Sequence, residues 1–208
     1  MFRKSRGVSR LVLKAVEDSP SGIALLDVLE SLGLCSPGTL KTTLSRLGKA
    51  RRIIRLKRGV YSANPMRDAF ACAQAVFNGY LGFSSALYLH RLAAEVPFTV
   101  TVVTKSVSRA KTFGQYEFRA VAMKEKAVGF EKKGGYVVST RPKTLFDCLY
   151  LPKYSVEHGK LVDAFKDARL SAREWREFDF FVEKLASGKA AARMRLAEKQ
   201  VAGGRKWN

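Results

Sequence analysis

Apolar residues recur at helical spacing from the start of the chain. Val8, Leu11, Val12, Ala15 and Val16 make one stripe and predict a first helix. After "EDSPSG", the run "ALLDVLESLG" puts Leu25, Val28, Leu29 and Leu32 on one face of a short second helix, which Gly33 stops. Ser36 followed by Pro37 has the chemistry of an N-cap and a first helical position. Leu40, Leu44 and Leu47 carry that third helix to about Lys49. The period then changes. Ile53 to Leu56 has strand character, "KRG" supplies a glycine for a tight turn, and Val60 to Ser62 returns as a second strand. Three short helices and a hairpin, closed by Asn64-Pro65, follow the element order of a winged helix-turn-helix. Residues 1–65 are therefore predicted to form that domain.

Residues 66–208 mix both periods. "RDAFACAQAVFNG" and "SSALYLHRLAAE" predict helices, the second capped by Ser84. "PFTVTVVT" alternates β-branched residues and predicts a strand, and "GQYEFRAVAM" predicts another. "AVGFEKKGGYVVST" predicts a hairpin turning at Lys133-Gly134-Gly135. "KTLFDCLYL", "VEHGKLVDAFKDA" and "AREWREFDFFVEKLAS" predict helices, the last burying most of Trp175, Phe178, Phe180 and Phe181. A basic helical tail follows from Gly188. The predicted class is α+β: an N-terminal winged helix-turn-helix domain, then a mixed α/β domain with a small sheet and C-terminal helices.

Charge changes the picture. The 208 residues include 38 Lys and Arg against 18 Asp and Glu, a net charge of +20. With 47% hydrophobic and 11% aromatic residues the chain can still build a core. Such a surplus repels itself unless a polyanion is the partner, nucleic acid before an anionic membrane surface. Cys35, Cys72 and Cys148 are far apart and only His90 and His158 accompany them, so neither a disulfide framework nor a zinc site is predicted. Reduced thiols, no apolar run of ~20 residues and no signal-peptide core in "MFRKSRGVSRLVLKAVEDS" point to a cytoplasmic protein with no membrane span. No cofactor is implied.

The surplus is concentrated in "TLKTTLSRLGKARRIIRLKRGVYS", and no Asp or Glu occurs between Glu30 and Asp68. On a helical wheel the leucines occupy one face. Opposite them lie Gly38, Thr42, Ser45, Arg46 and Lys49, flanked by Thr39 and Lys41. Hydroxyls reach bases or phosphates, and a guanidinium binds a guanine edge in bidentate fashion. Ser36, Thr39, Lys41, Thr42, Ser45, Arg46 and Lys49 are thus expected to contact double-stranded DNA. Arg51, Arg52, Arg55, Lys57 and Arg58 of the hairpin are expected to grip its phosphates. In the second domain, Lys105, Arg109, Lys111, Lys132 and Lys133 are expected to form an auxiliary basic surface for DNA or an acidic partner. The tail adds Lys189, Arg193, Arg195, Lys199, Arg205 and Lys206.

A catalytic metal would need paired carboxylates. Glu95, Glu117, Glu125, Glu131 and Asp147 have no such spacing. Asp147 is expected to face outward or to pair with Lys143 one turn earlier, and His90 to be a satisfied core histidine. There is no P-loop or GxGxxG, and Ser84-Ser85 lack the glycine elbow of a hydrolase nucleophile. A non-enzymatic regulator is expected. The alternative is a metal-dependent nuclease or nucleotidyltransferase with a DNA-binding front end.

"GLCSPGTLKTTLSRLGKARRIIRLKRGVYS" resembles the N-terminal winged helix of the AbiEi family of antitoxin-type transcriptional regulators. "GFSSALYLHRLAAEVPFTVTVVT" resembles that family's next segment, and "VVSTRPKTLFDCLYLP" its later block, where a Lys-hydrophobic-Asp helix follows a strand. Two positions depart from the family pattern. Pro142 stands where an acidic residue commonly precedes the lysine, and Arg91 where a small residue, often glycine, is usual. The resemblance implies the antitoxin of a type IV toxin-antitoxin pair. It would bind inverted repeats in its own promoter and oppose a cognate toxin of nucleotidyltransferase type.

Overall fold

The computed structural model describes residues 3–202. The chain divides into two compact units at the Val76–Phe77 bond. The first unit runs α1 (Arg3–Glu17), β1 (Ile23–Leu25), α2 (Leu26–Ser31), α3 (Pro37–Lys49), β2 (Ile53–Lys57), β3 (Val60–Ala63) and α4 (Ala69–Val76). Its antiparallel three-stranded sheet has the order β1-β3-β2. The division thus falls after α4 and not at Pro65. Asp68 caps α4 by accepting from Ala71 N at 2.9 Å, and the buried Cys72 thiol donates to Ser62 of β3 at 3.5 Å. Burial pushes that thiol up to about 11.

The core of this unit packs Leu40, Leu44 and Leu47 of α3 against Val12, Leu13 and Val16 of α1, with Leu29, Ile53 and Tyr61. The predicted leucine stripe is therefore the buried one, and Thr43 is buried with it. The second helix differs from its prediction. Ile23–Leu25 pairs with β3, and the helix begins only at Leu26. Leu29 is buried, while Leu25, Val28 and Leu32 are 44%, 49% and 53% exposed. A three-residue strand owes its existence to pairing with a distant partner, which a local period does not carry.

The second unit contains β4 (Tyr80–Leu81), α5 (Phe83–Leu89), β5 (Thr99–Thr104), β6 (Arg109–Phe113), β7 (Tyr116–Ala122), β8 (Phe130–Lys133) and β9 (Tyr136–Ser139). The helices α6 (Arg141–Tyr150), α7 (His158–Ala168), α8 (Ala172–Leu185) and α9 (Gly188–Ala202) follow. The strands form one mixed six-stranded sheet in the order β6-β7-β5-β4-β9-β8. The expected hairpin is present as β8 and β9, with Lys133 opposite Tyr136. Ser84 lies inside α5, whose N-cap is Gly82, so it is not the cap. Arg91 has φ 61°, the left-handed backbone that explains why a glycine would suit its position. Trp175, Phe178 and Phe181 are buried, and Phe180 is 53% exposed.

Helix α6 is the centre of this unit. Thr140 caps it by accepting from Lys143 N at 3.3 Å. Residues 142–149 are all buried, and Leu145, Phe146, Cys148 and Leu149 share a core with residues of α7, α8 and α9. Two charges lie inside that core. The fully buried Lys143 ammonium donates to Asp147, one turn on, and to Tyr80 Oη at 3.2 Å. Tyr80 in turn donates to the other Asp147 oxygen at 3.3 Å. The rings of Tyr80, Phe146 and Phe181 lie 5.8, 5.0 and 5.8 Å from the ammonium. Asp147 thus pairs with Lys143 and does not face outward. Burial pushes its carboxyl up to about 6 against the pull of Lys143, and burial lowers Lys143. Gly129, at φ 73°, lies over the pair: a Cβ there would stand 2.5 Å from Phe181 Cζ and 3.0 Å from Lys143 Cγ.

Asp147→Asn leaves the ammonium without a countercharge and should cost about 3–5 kcal/mol at neutral pH. That cost should shrink as pH rises toward the ordinary lysine range, where the unfolded lysine loses its proton too. Lys143→Met should cost less, because Asp147 then takes up a proton, and Lys143→Met/Asp147→Leu should recover most of the loss. Urea unfolding read by tryptophan fluorescence, Trp175 being in this core, measures the cycle; additive single effects would refute the pairing. Gly129→Ala should cost about 2–5 kcal/mol from strain plus overpacking. Gly134→Ala, with a positive φ but nothing within 4 Å, should cost only about 1–2 kcal/mol.

Candidate nucleic-acid interface

The exposed side of α3 is built by its cap and its leucines. Ser36 Oγ accepts from Thr39 N at 3.4 Å and hydrogen-bonds Thr39 Oγ1 at 2.9 Å. With Pro37 at the first position, the cap fixes where the helix starts, hence which side chains oppose the leucines. Ser36, Thr39, Lys41, Thr42, Ser45, Arg46 and Lys49 are all exposed. Three of them already have structural work. Ser36 and Thr39 form the cap, and Thr42 Oγ1 donates to Gly38 O at 3.0 Å. Lys41 pairs with Glu30 at 3.3 Å, so the residue just outside the acid-free window supplies one countercharge. Among the described residues Arg46 and Lys49 have no acidic partner.

The hairpin carries the remaining cations. Arg51 turns the chain out of α3 at φ 53°, and its carbonyl accepts from Asn64 Nδ2 at 2.6 Å. Ile53 and Leu56 point into the core, while Arg55 and Lys57 are exposed. A register shift between Arg55 and Lys57 lets both cations face solvent around the buried Leu56. Arg58 and Gly59 make the two-residue tip, with Gly59 at φ 74°, as such a turn requires. Leu26 N donates to Gly59 O at 2.8 Å and ties the tip to α2. Arg51, Arg52, Arg55, Lys57 and Arg58 are all exposed, and β2 is an edge strand. Sequence reasoning missed β1, which completes the sheet on the far side of β3.

The expected auxiliary surface is not one surface. Lys105 follows β5 and Arg109 and Lys111 lie on β6, whereas Lys132 and Lys133 lie on β8, the opposite edge of the sheet. Their closeness in sequence is undone by the strand order. Lys133 also has a local role: its ammonium donates to His90 Nδ1 at 2.9 Å, while His90 Nε2 donates to Ser139 O at 2.7 Å. His90 is buried with both ring nitrogens bonded, and burial, with Lys133 adding to it, lowers its pKa. In the tail, Arg193 donates to Leu149 O at 2.9 Å, and Arg195 pairs with Asp179 and Glu198. Those two arginines hold α9 to its neighbours. Arg205 and Lys206 lie outside the described residues.

The five carboxylates weighed as metal ligands form no metal-holding group among the described residues. Glu117 pairs with Arg119 on its own strand, Glu95, Glu125 and Glu131 are exposed, and both Asp147 oxygens are occupied inside the core. Among the described residues no three His, Cys, Asp or Glu side chains could hold a metal ion together, and no helix is long and apolar enough to cross a membrane.

No protein-family model matches the chain, and no curated protein matches it. Among solved structures it is similar to the RV2827C protein from Mycobacterium tuberculosis, with a TM-score of 0.63 at 14% identity over 93% of this chain and 76% of that one. At that identity the likeness concerns the fold alone, which is α+β.

Proposed function

We propose that the first unit is a winged helix-turn-helix that binds double-stranded DNA, with α3 in the major groove and the β2–β3 hairpin against the phosphate backbone. The observation that carries the reading is a separation of roles on one short stretch. Every leucine of the α3 stripe is buried, every residue expected at the interface is exposed, and among the described residues Lys41 alone of these cations has an acidic partner. The order helix, strand, helix, helix, strand, strand, with β3 between β1 and β2, agrees with it. Thr42, Ser45 and Arg46 would read base edges, while Arg55, Lys57 and Arg58 would hold phosphates. If about six phosphates are neutralised, log K falls against log salt with a slope of about −5.

The resemblance to AbiEi antitoxins extends the proposal. The chain would repress its own promoter at inverted repeats and oppose a nucleotidyltransferase-type toxin encoded beside it. The placement of Lys143 and Asp147 bears on this second step, because the Lys-hydrophobic-Asp block is core. A toxin-facing role would then fall to other residues of the second unit.

A gel-shift titration on the protein's own upstream DNA tests the first step. Specific binding should survive scrambled competitor at physiological salt; equal loss to scrambled and native competitor would sink it. Arg46→Ala with Thr42→Ala should reduce discrimination between the two DNAs more than it reduces affinity. Lys57→Ala with Arg58→Ala should weaken both equally and flatten the salt slope by about 2.

A further inference from the structure

The second unit has a half-open cleft of about 390 Å³ that the DNA-binding reading does not use. It lies beside the buried ion pair. Tyr80 forms part of its wall, and because Tyr80 Oη is committed to Lys143 and Asp147, its ring is fixed in place. Phe130 stacks on that ring with centroids 5.2 Å apart and planes 25° from parallel, yet Phe130 is 54% exposed. One face of the phenyl is therefore backed by a pinned aromatic, and the ring remains largely open to solvent. Leaving an aromatic of this size exposed forgoes the burial that would otherwise stabilise the fold.

Lys105 also lines the cleft, and Lys124 adjoins it outside the lining. Thr104 Oγ1 accepts from Val107 N at 3.0 Å and donates to Val107 O at 2.7 Å, which closes the turn presenting Lys105. Lys124 N donates to Lys105 O at 3.0 Å, and Met123 N donates to Thr104 O at 2.9 Å. These bonds hold Lys124 beside Lys105. Lys124 does this at φ 48°, a left-handed backbone that a lysine adopts only at some cost. Both lysines are exposed, and neither has an acidic partner among the described residues. Asn78, an exposed amide, completes the rim. The volume falls in the usual small-molecule range of ~300–1,000 Å³.

A pinned, open aromatic and the exposed Lys105 on one cleft, with Lys124 a backbone hydrogen bond away from Lys105, fit a ligand with a flat ring at one end and a phosphate at the other. We propose that the cleft between Phe130 and Lys105 binds a nucleotide unit. The base would stack on Phe130, the phosphates would meet Lys105 and Lys124, and the Asn78 amide would hydrogen-bond the base edge. The same chemistry occurs in a free nucleoside triphosphate and in single-stranded DNA. The proposal stands apart from duplex recognition by the first unit.

Isothermal titration of the full chain with ATP, adenosine, inorganic tripolyphosphate and a five-residue oligothymidylate tests it. ATP or the oligonucleotide should saturate one site, and the tighter of the two identifies the source. Adenosine and tripolyphosphate, each carrying half of the chemistry, should bind at least about tenfold more weakly. Phe130→Ala should weaken the preferred ligand about tenfold, as loss of one base stack does. Phe130→Leu, which keeps apolar surface but no π face, should weaken it similarly, and Phe130→Trp should preserve it. Lys105→Ala with Lys124→Ala should weaken binding and flatten its salt dependence. Urea midpoints run in parallel separate these losses from unfolding. No saturation at millimolar ligand, tripolyphosphate binding as tightly as ATP, or binding that folded Phe130 and Lys105/Lys124 variants leave unchanged would each overturn the proposal.

Discussion

A lysine ammonium with no access to water governs the second unit. Burying such an ion costs several kcal/mol even after the protein relaxes, so it survives only where a countercharge and further polar partners meet it together. Lys143 meets Asp147 one helical turn away, Tyr80 from the sheet, and three aromatic faces. Each partner imposes a condition on another element. Tyr80 has to come from a strand beside β5, α8 has to bring Phe181, and residue 129 has to lack a Cβ. A pair that needs four elements to agree specifies one arrangement of them, even if an apolar substitute of equal volume would be as stable.

The first unit handles charge the opposite way. Two exposed like charges at 4 Å repel by about 1 kcal/mol in water, and salt weakens that within roughly 10 Å. The row of cations on α3 and β2 is therefore a modest burden while it remains outside. Leu40, Leu44 and Leu47, whose burial is worth about 1.5–3 kcal/mol each, are enough to fix the helix despite it. Lys41–Glu30 relieves one position at the edge.

Much of this was legible in the sequence, and most failures concern very short strands. The span of α3, its Ser36 cap, its leucine stripe and the two-residue hairpin all rest on local chemistry, and the structure has them as the spacing predicts. The strands β1 and β4 were missed because strands of two or three residues are decided by partners far along the chain, whereas β6 pairs with the adjacent β7 and was missed because "RAKTF" lacks an alternating apolar pattern. Exposure of Leu25, Val28 and Leu32 escaped because β1 delays the start of α2, which then turns Leu29 and, in part, Leu26 to the core. The ion pair was half legible. The i, i+4 spacing of Lys143 and Asp147 suggested contact, but its complete burial depended on α8 and on Gly129.

The auxiliary lysines expose a limit of net charge as a guide. In the second unit Arg141 makes a two-pronged bond to Glu174 and a third to Ala168 O, Arg193 holds Leu149 O, Arg195 is shared among acids, and Lys133 serves His90. These cations contribute to +20 on paper while their donors are spent within the fold. Lys105 and Lys124 count equally in that sum, yet their ammonium groups have no acid to meet among the described residues. A polyanion gains most from groups that keep unspent donors, since breaking an internal pair would leave its acid uncompensated. The number that matters for a partner is therefore the unmatched cations in one place, and on that measure the α3 and hairpin surface comes first and the Lys105 rim of the cleft second.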